Sequence, residues 1–203
     1  MIKIDYKIPG SLRNFLNSVG AAGRHNLFSA AAAAVCDIVR RHIAHESTLR
    51  HATAARLNAT PTGHLEKAAR KTVFHADADH GEVVIPAPGF GRAFHDVEIT
   101  PTNAPNLTLP ISAYSYGRRV KEMRGLGWKF FTPARGHAKE DILFGYRGKG
   151  KDKEVVPLYL LKKRVQQKQD RSLLPGDAEI TMTATRAMMS EIYRVGRKAG
   201  MAA

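Results

Sequence analysis

One stretch constrains this chain more than any other. Between about Gly23 and Ser47, Leu27, Phe28, Ala31, Val35, Ile38, Val39, His42 and Ile43 recur at steps of three and four residues. That spacing lines side chains along one face of an α-helix. A long helix with an apolar stripe along its length gains little stability alone, so the rest of the chain must supply a layer to cover it. Five consecutive alanines, Ala30 to Ala34, favour the helix and let a neighbouring helix or sheet come close. The stripe reads as a core-packing face; a subunit interface is the other use for such a surface.

The period then changes. "HATAARLN" continues helical character, and Thr60 with Pro61 opens a second helix from Pro61 to about Lys71. Beyond it "TVFHADADHGEVVIP" alternates, and Asp79-His80-Gly81 places a turn between two strands. "AFHDVEITP" and "NLTLPIS" predict further strands closed by prolines, which belong at strand ends or sheet edges. "MIKIDYKI" predicts a short strand before Pro9-Gly10, and "SLRNFLNSV" one or two helical turns capped by Ser11. "GRRVKEMRGLGWKFFTPARG" reads as a helical turn and an irregular loop. "DILFGYRG" and "EVVPLYLLKKRV" flank a basic tip, a long hairpin projecting over residues 141–170. A C-terminal helix is expected over 176–199, with Asp177 and Glu179 near its start and Arg197 and Lys198 near its end, matching the helix dipole. Helices, then antiparallel strands, then a helix predict an α+β fold in one domain spanning 1–203.

Composition narrows the classes. Hydrophobic residues make up 43% of 203, enough for a core. The lone cysteine, Cys36, cannot form an internal disulfide and sits inside the helical stripe, so it reads as a small buried apolar residue. "LFSAAAAAVCDIV" is too short to cross a bilayer, is followed at once by Arg40 and Arg41, and lacks the layout of a signal peptide. A soluble, unsecreted chain without membrane association is expected.

Charge is the strongest compositional fact. The net charge is +14, and residues 118–171 carry 16 basic against 6 acidic residues. A localised positive field selects polyanions or acidic protein faces as partners. Chemistry, by contrast, is poorly signalled. His42 and His45 with Glu46 read "HIAHE", which lacks the HExxH order and any third ligand on that face. Asp77 and Asp79 fall outside a calcium-loop pattern and read as turn residues. "PGFGRAF" offers Gly89 and Gly91 but no dinucleotide fingerprint. No nucleophile elbow, phosphate loop or triad spacing occurs, so no catalytic residue, metal or cofactor is expected.

The basic hairpin is left. Residues 147–170 hold eight Lys or Arg around the short apolar run "VVPLYLL". Strand alternation puts Leu158, Leu160 and Lys162 on one face and Tyr159, Leu161 and Lys163 on the other. Both faces are apolar early and basic late, so the strand starts in the body and emerges into solvent. "KKRVQQKQDR" carries no aromatic residue, which argues against stacking on single strands and leaves duplex phosphates or an acidic protein face. Lysines guarding an edge strand are the plainest explanation.

Three stretches, "RLNATPTGHLEKAA", "GEVVIPAPGFGRAFHDVEITP" with "LTLPISAYSYGRR", and "PLYLLKKRVQQKQDRSLLP" ahead of a terminal helix, resemble the virion morphogenesis proteins of tailed bacteriophages. These are the tail-completion and head–tail joining proteins. The resemblance implies a structural virion protein with no catalytic residues, assembled in the host cytoplasm and placed in the neck. There it would form a cyclic ring of about six or twelve copies between the portal or adaptor and the tail-terminator or tail proteins. Duplex DNA passes through a neck and must leave it, and unpaired lysines facing the channel would retain phosphates. Docking on an acidic face of an adjacent ring is therefore the preferred role for Lys149, Lys151, Lys153, Lys162, Lys163, Arg164 and Lys168, with DNA contact second. The alternative is a free-standing, sequence-nonspecific duplex-DNA-binding protein of a phage or mobile element. A DNA-cleaving enzyme is the third reading, handicapped by the lack of a carboxylate cluster.

Overall fold

The structure, a computed structural model, describes residues 2–4, 16, 18–50, 52–87, 90–133, 141–148 and 153–198. The α-helices whose bounds are described are α1 (Ala21–Leu49), α2 (Ala52–Arg56), α3 (His64–Lys71), α4 (Val120–Gly125) and α5 (Asp177–Lys198). The strands are β1 (Ile2–Ile4), β2 (Val73–Ala76), β3 (Gly81–Ile85), β4 (Val97–Ile99), β5 (Leu107–Pro110), β6 (Lys129–Phe131), β7 (Ile142–Arg147), β8 (Glu154–Lys162) and β9 (Val165–Gln167). All pairings are antiparallel, and the fold class is α+β. The described residues form two compact units, one from segments within 1–49, 63–95 and 169–203, the other from segments within 50–62 and 96–168.

In the first unit α1 buries the stripe predicted for it, from Leu27 and Phe28 through Ala31, Val35 and Val39 to Ile43. The cover comes from three sides: Ile180, Ala184 and Met188 of α5, Ala68 and Ala69 of α3, and Val83 and Ile85 of β3. The sheet here is β1-β3-β2, with β3 central. Polar ties reinforce the packing. The Thr72 carbonyl accepts two N–H groups of Arg40, at 2.9 and 2.6 Å, anchoring the start of β2 to α1. Cys36 is buried as expected, and burial pushes its thiol pKa up. His42 donates from Nε2 to the Ser172 carbonyl at 2.9 Å, so the helix turn nearest the Arg171–Leu173 segment is held by a hydrogen bond.

The β2–β3 turn accounts for the acidic pair at its tip. Asp77 Oδ1 accepts the backbone N–H groups of Asp79 and His80 at 2.7 and 2.8 Å. Those bonds, Asp79 first, hold the Asp77 carboxyl below its usual range.

The second unit is built on a four-stranded sheet, β5-β8-β7-β6, with β4 and β9 paired separately. Its core joins Met123, Trp128, Leu158 and Tyr159, with Phe130, Leu143 and Val156 packed against them. β8 lies inside the strand order, paired with β7 over Glu154–Leu160 and with β5 over Tyr159–Lys162, so each lysine-bearing end has a neighbour on one side. One expectation changes here: its faces do not alternate as predicted. Phe144 pairs with Pro157 and Leu143 with Tyr159, which leaves Leu158 as an extra residue. Such a bulge turns two successive side chains to one side, and Leu158 and Tyr159 are both buried, at 0% and 1% exposure. Pro157 explains the location, because a residue without an N–H fits the sheet where the ladder is interrupted.

The segment read as a helical turn and loop contains α4 and the strand β6; three residues, "KFF", are too few to display alternation. Residues 141–170 likewise form more than one hairpin. β7 and β8 pair as predicted, but the chain bends at Lys163 and Arg164, and β9 leaves to pair with β4. α5 occupies the predicted C-terminal stretch.

Two substitutions test this packing. Ile43→Ala should cost about 2–5 kcal/mol by opening a cavity beneath α1. Gly145→Ala should cost about 1–3 kcal/mol, because an added Cβ would overlap the Leu158 side chain and press on the Trp128 ring 3.0 Å away. Both are read as shifts of the denaturant midpoint at constant slope.

Candidate interaction surface

Of the seven basic residues singled out from the sequence, the five that are described do not converge on one spot. Lys149 and Lys151 lie outside the described residues. Lys153 is exposed at the start of β8, its Nζ 4.4 Å from the centre of the Tyr146 ring. Lys162, Lys163 and Arg164 are exposed and consecutive at the far end of β8, and Lys168 is exposed just beyond β9. A strand rises about 3.3 Å per residue, so β8 holds Lys153 and Lys162 roughly 30 Å apart. The expected docking set is thus at least two sites, one at each end of β8.

The end that carries Lys153 is more than a patch of charge. Register places Lys129 opposite Tyr146 and Phe131 opposite Phe144, while Tyr146 pairs with Val155 on its other side. These residues share the sheet face turned away from the Met123–Trp128–Leu158 core. Phe131 and Phe144 stack with centroids 5.6 Å apart and planes 22° from parallel. Tyr146 lies 6.1 Å from Phe131. Phe131 is 42% exposed and Val155 48%. The rings come from β6 and β7, brought beside the Lys153 end of β8 by strand pairing; "KKRVQQKQDR" at the other end carries none. The alternation in "ILFGYR" was the available signal; its register against "KFF" was not.

The opposite face is closed by an ion pair over aromatics. Arg147 sits 4.8 Å from the Trp128 ring centre and 5.3 Å from that of Tyr114, and its Nε donates to Glu154 Oε2 at 2.8 Å. That hydrogen bond holds the Glu154 carboxyl below its usual range. Tyr159 donates its hydroxyl to the Arg118 carbonyl at 2.9 Å, and burial, with Glu122 adding, pushes its pKa up to about 12.

Elsewhere the site chemistry is sparse. Among the described residues no group of three or more His, Cys, Asp or Glu could hold a metal, so His42, His45 and Glu46 are not brought together with further ligands. No helix among them is long and apolar enough to cross a membrane. The cations and rings of the described surface can attract anions and planar groups.

The Arg147–Glu154 pair makes the single tryptophan a reporter. A carboxylate whose pKa is depressed in the fold stabilises it fully above its ordinary value of 4.5, and loses that contribution as pH falls through the lowered value. Trp128 emission should therefore change on the acid limb of a pH titration below 4.5, and Glu154→Gln should flatten that limb. An unaltered limb in the variant contradicts the assignment.

No protein-family model, curated protein or solved structure matches the chain.

Proposed function

We propose that this chain is a structural, non-catalytic subunit of a tailed-phage neck, forming a ring that joins the DNA-filled head to the tail. The three stretches that resemble virion morphogenesis proteins support the neck assignment. The observation that carries self-association is the second apolar face of α5. Ile180, Ala184 and Met188 are buried against α1, yet Met182, Met189 and Tyr193 are 47%, 38% and 64% exposed. At 100° per residue these three fall on one stripe, on the side opposite the buried face. A helix apolar on both sides calls for two partners. A heterologous contact through that stripe, repeated around an axis, closes a ring.

In this reading Lys162, Lys163, Arg164 and Lys168 at the far end of β8 dock on an acidic face of an adjacent portal, adaptor or tail ring. Exposed, consecutive cations suit a contact that is steered by charge and formed late in assembly. The protein resides at the head–tail interface of the virion, and duplex DNA passes it without being held.

Two variants test the proposal. Met189→Asp with Tyr193→Asp should reduce the mass of the assembled species, measured by light scattering, to that of the monomer. Lys162→Glu, Lys163→Glu and Arg164→Glu together should abolish joining of heads to tails, counted by electron microscopy, while the circular dichroism spectrum is unchanged. Normal joining by the triple variant refutes the docking role. A wild-type monomer that coats duplex DNA and releases it as salt rises would instead identify a free-standing DNA-binding protein.

A further inference from the structure

We propose that the outer face of the four-stranded sheet binds single-stranded nucleic acid, with Phe131, Phe144 and Tyr146 stacking on bases and Lys129 and Lys153 contacting phosphates. This site stands independently of the neck assignment.

The argument begins with ring placement. Phe131 and Phe144 form a stacked pair 5.6 Å apart and Tyr146 stands 6.1 Å from Phe131. Together they span two adjacent strands, room for about two or three bases. Phe131 lies on β6, an outer strand of the sheet, and is 42% exposed. Rings in that position reach only bases that are already unstacked, because a duplex hides base faces inside its helix.

Charge selects the ligand. Lys129 stands directly across from Tyr146, and Lys153 holds its ammonium over the same ring. No strand residue that register places on this face is acidic. A purely apolar partner would bury these ammonium groups unpaired, which is costly. A polyanion with planar groups satisfies both the rings and the cations. Lys153 then exchanges the face of Tyr146 for a phosphate, and a base takes its place on the ring.

The test is fluorescence anisotropy of the full chain with a labelled oligo-dT of about 10 nucleotides, a length within the range one such surface covers. Saturable binding is expected, competed more weakly by a duplex of equal length. Phe131→Leu and Tyr146→Leu keep apolar bulk but remove the ring, and each should weaken binding roughly tenfold. Lys129→Ala with Lys153→Ala should lower the slope of log K against log salt by about 1.4. Absence of binding at low salt overturns the proposal. So does binding that ignores both ring variants, or that duplex competes equally, since either outcome leaves only nonspecific charge. Ring variants that change the assembled mass and not oligonucleotide affinity would mark the face as a protein contact and also overturn it. Failure here leaves the α5 experiment and the Lys162, Lys163 and Arg164 experiment untouched.

Discussion

Burial of the α1 stripe is the constraint on which the first unit depends. Ala31, Val35, Val39 and Ile43 have no exposed surface, and small side chains at Ala31 and Ala32 allow neighbouring backbones close approach. One helix thereby receives α5, α3 and β3 around a single core. The polar ties follow from the same packing. Arg40 leaves the stripe at the right height to meet the Thr72 carbonyl, and His42 meets Ser172. Interior carbonyls left without such donors would be expensive.

The second unit depends on a smaller event, the extra residue at Leu158. The bulge sends Leu158 and Tyr159 together into the core and reverses the side-chain alternation of β8 beyond it. Gly145 is opposite the crowded region, where Leu158 and Trp128 leave no room for a Cβ. With the core filled from one side, Phe131, Phe144 and Tyr146 stay on the other. The exposed aromatic face is therefore a consequence of how the core was closed, and Lys129 and Lys153 give it positive charge.

Much of the fold was legible because long helices repeat their signal. The α1 and α5 patterns extend over several turns, and α1 buries the face its pattern predicts. The β2–β3 hairpin was legible from its turn chemistry. β6 was not, since three residues carry no period. The candidate surfaces fared less well for a related reason. Charge density along residues 147–170 suggests one docking hairpin, but the length of β8 separates its ends, and only pairing brings the rings to the Lys153 end.

What the amino-acid sequence determined by itself was local and periodic: the helices, the strand-rich middle, the turns, and the concentration of positive charge in residues 118–171. Tertiary structure alone decided that β8 is an inner strand, that Leu158 and Tyr159 point the same way, and that Phe131 lies beside Phe144 and Tyr146. Periodicity reports which side chains share a face within one element. It does not report the register between elements, because that depends on hydrogen bonds and packing among residues far apart in the chain.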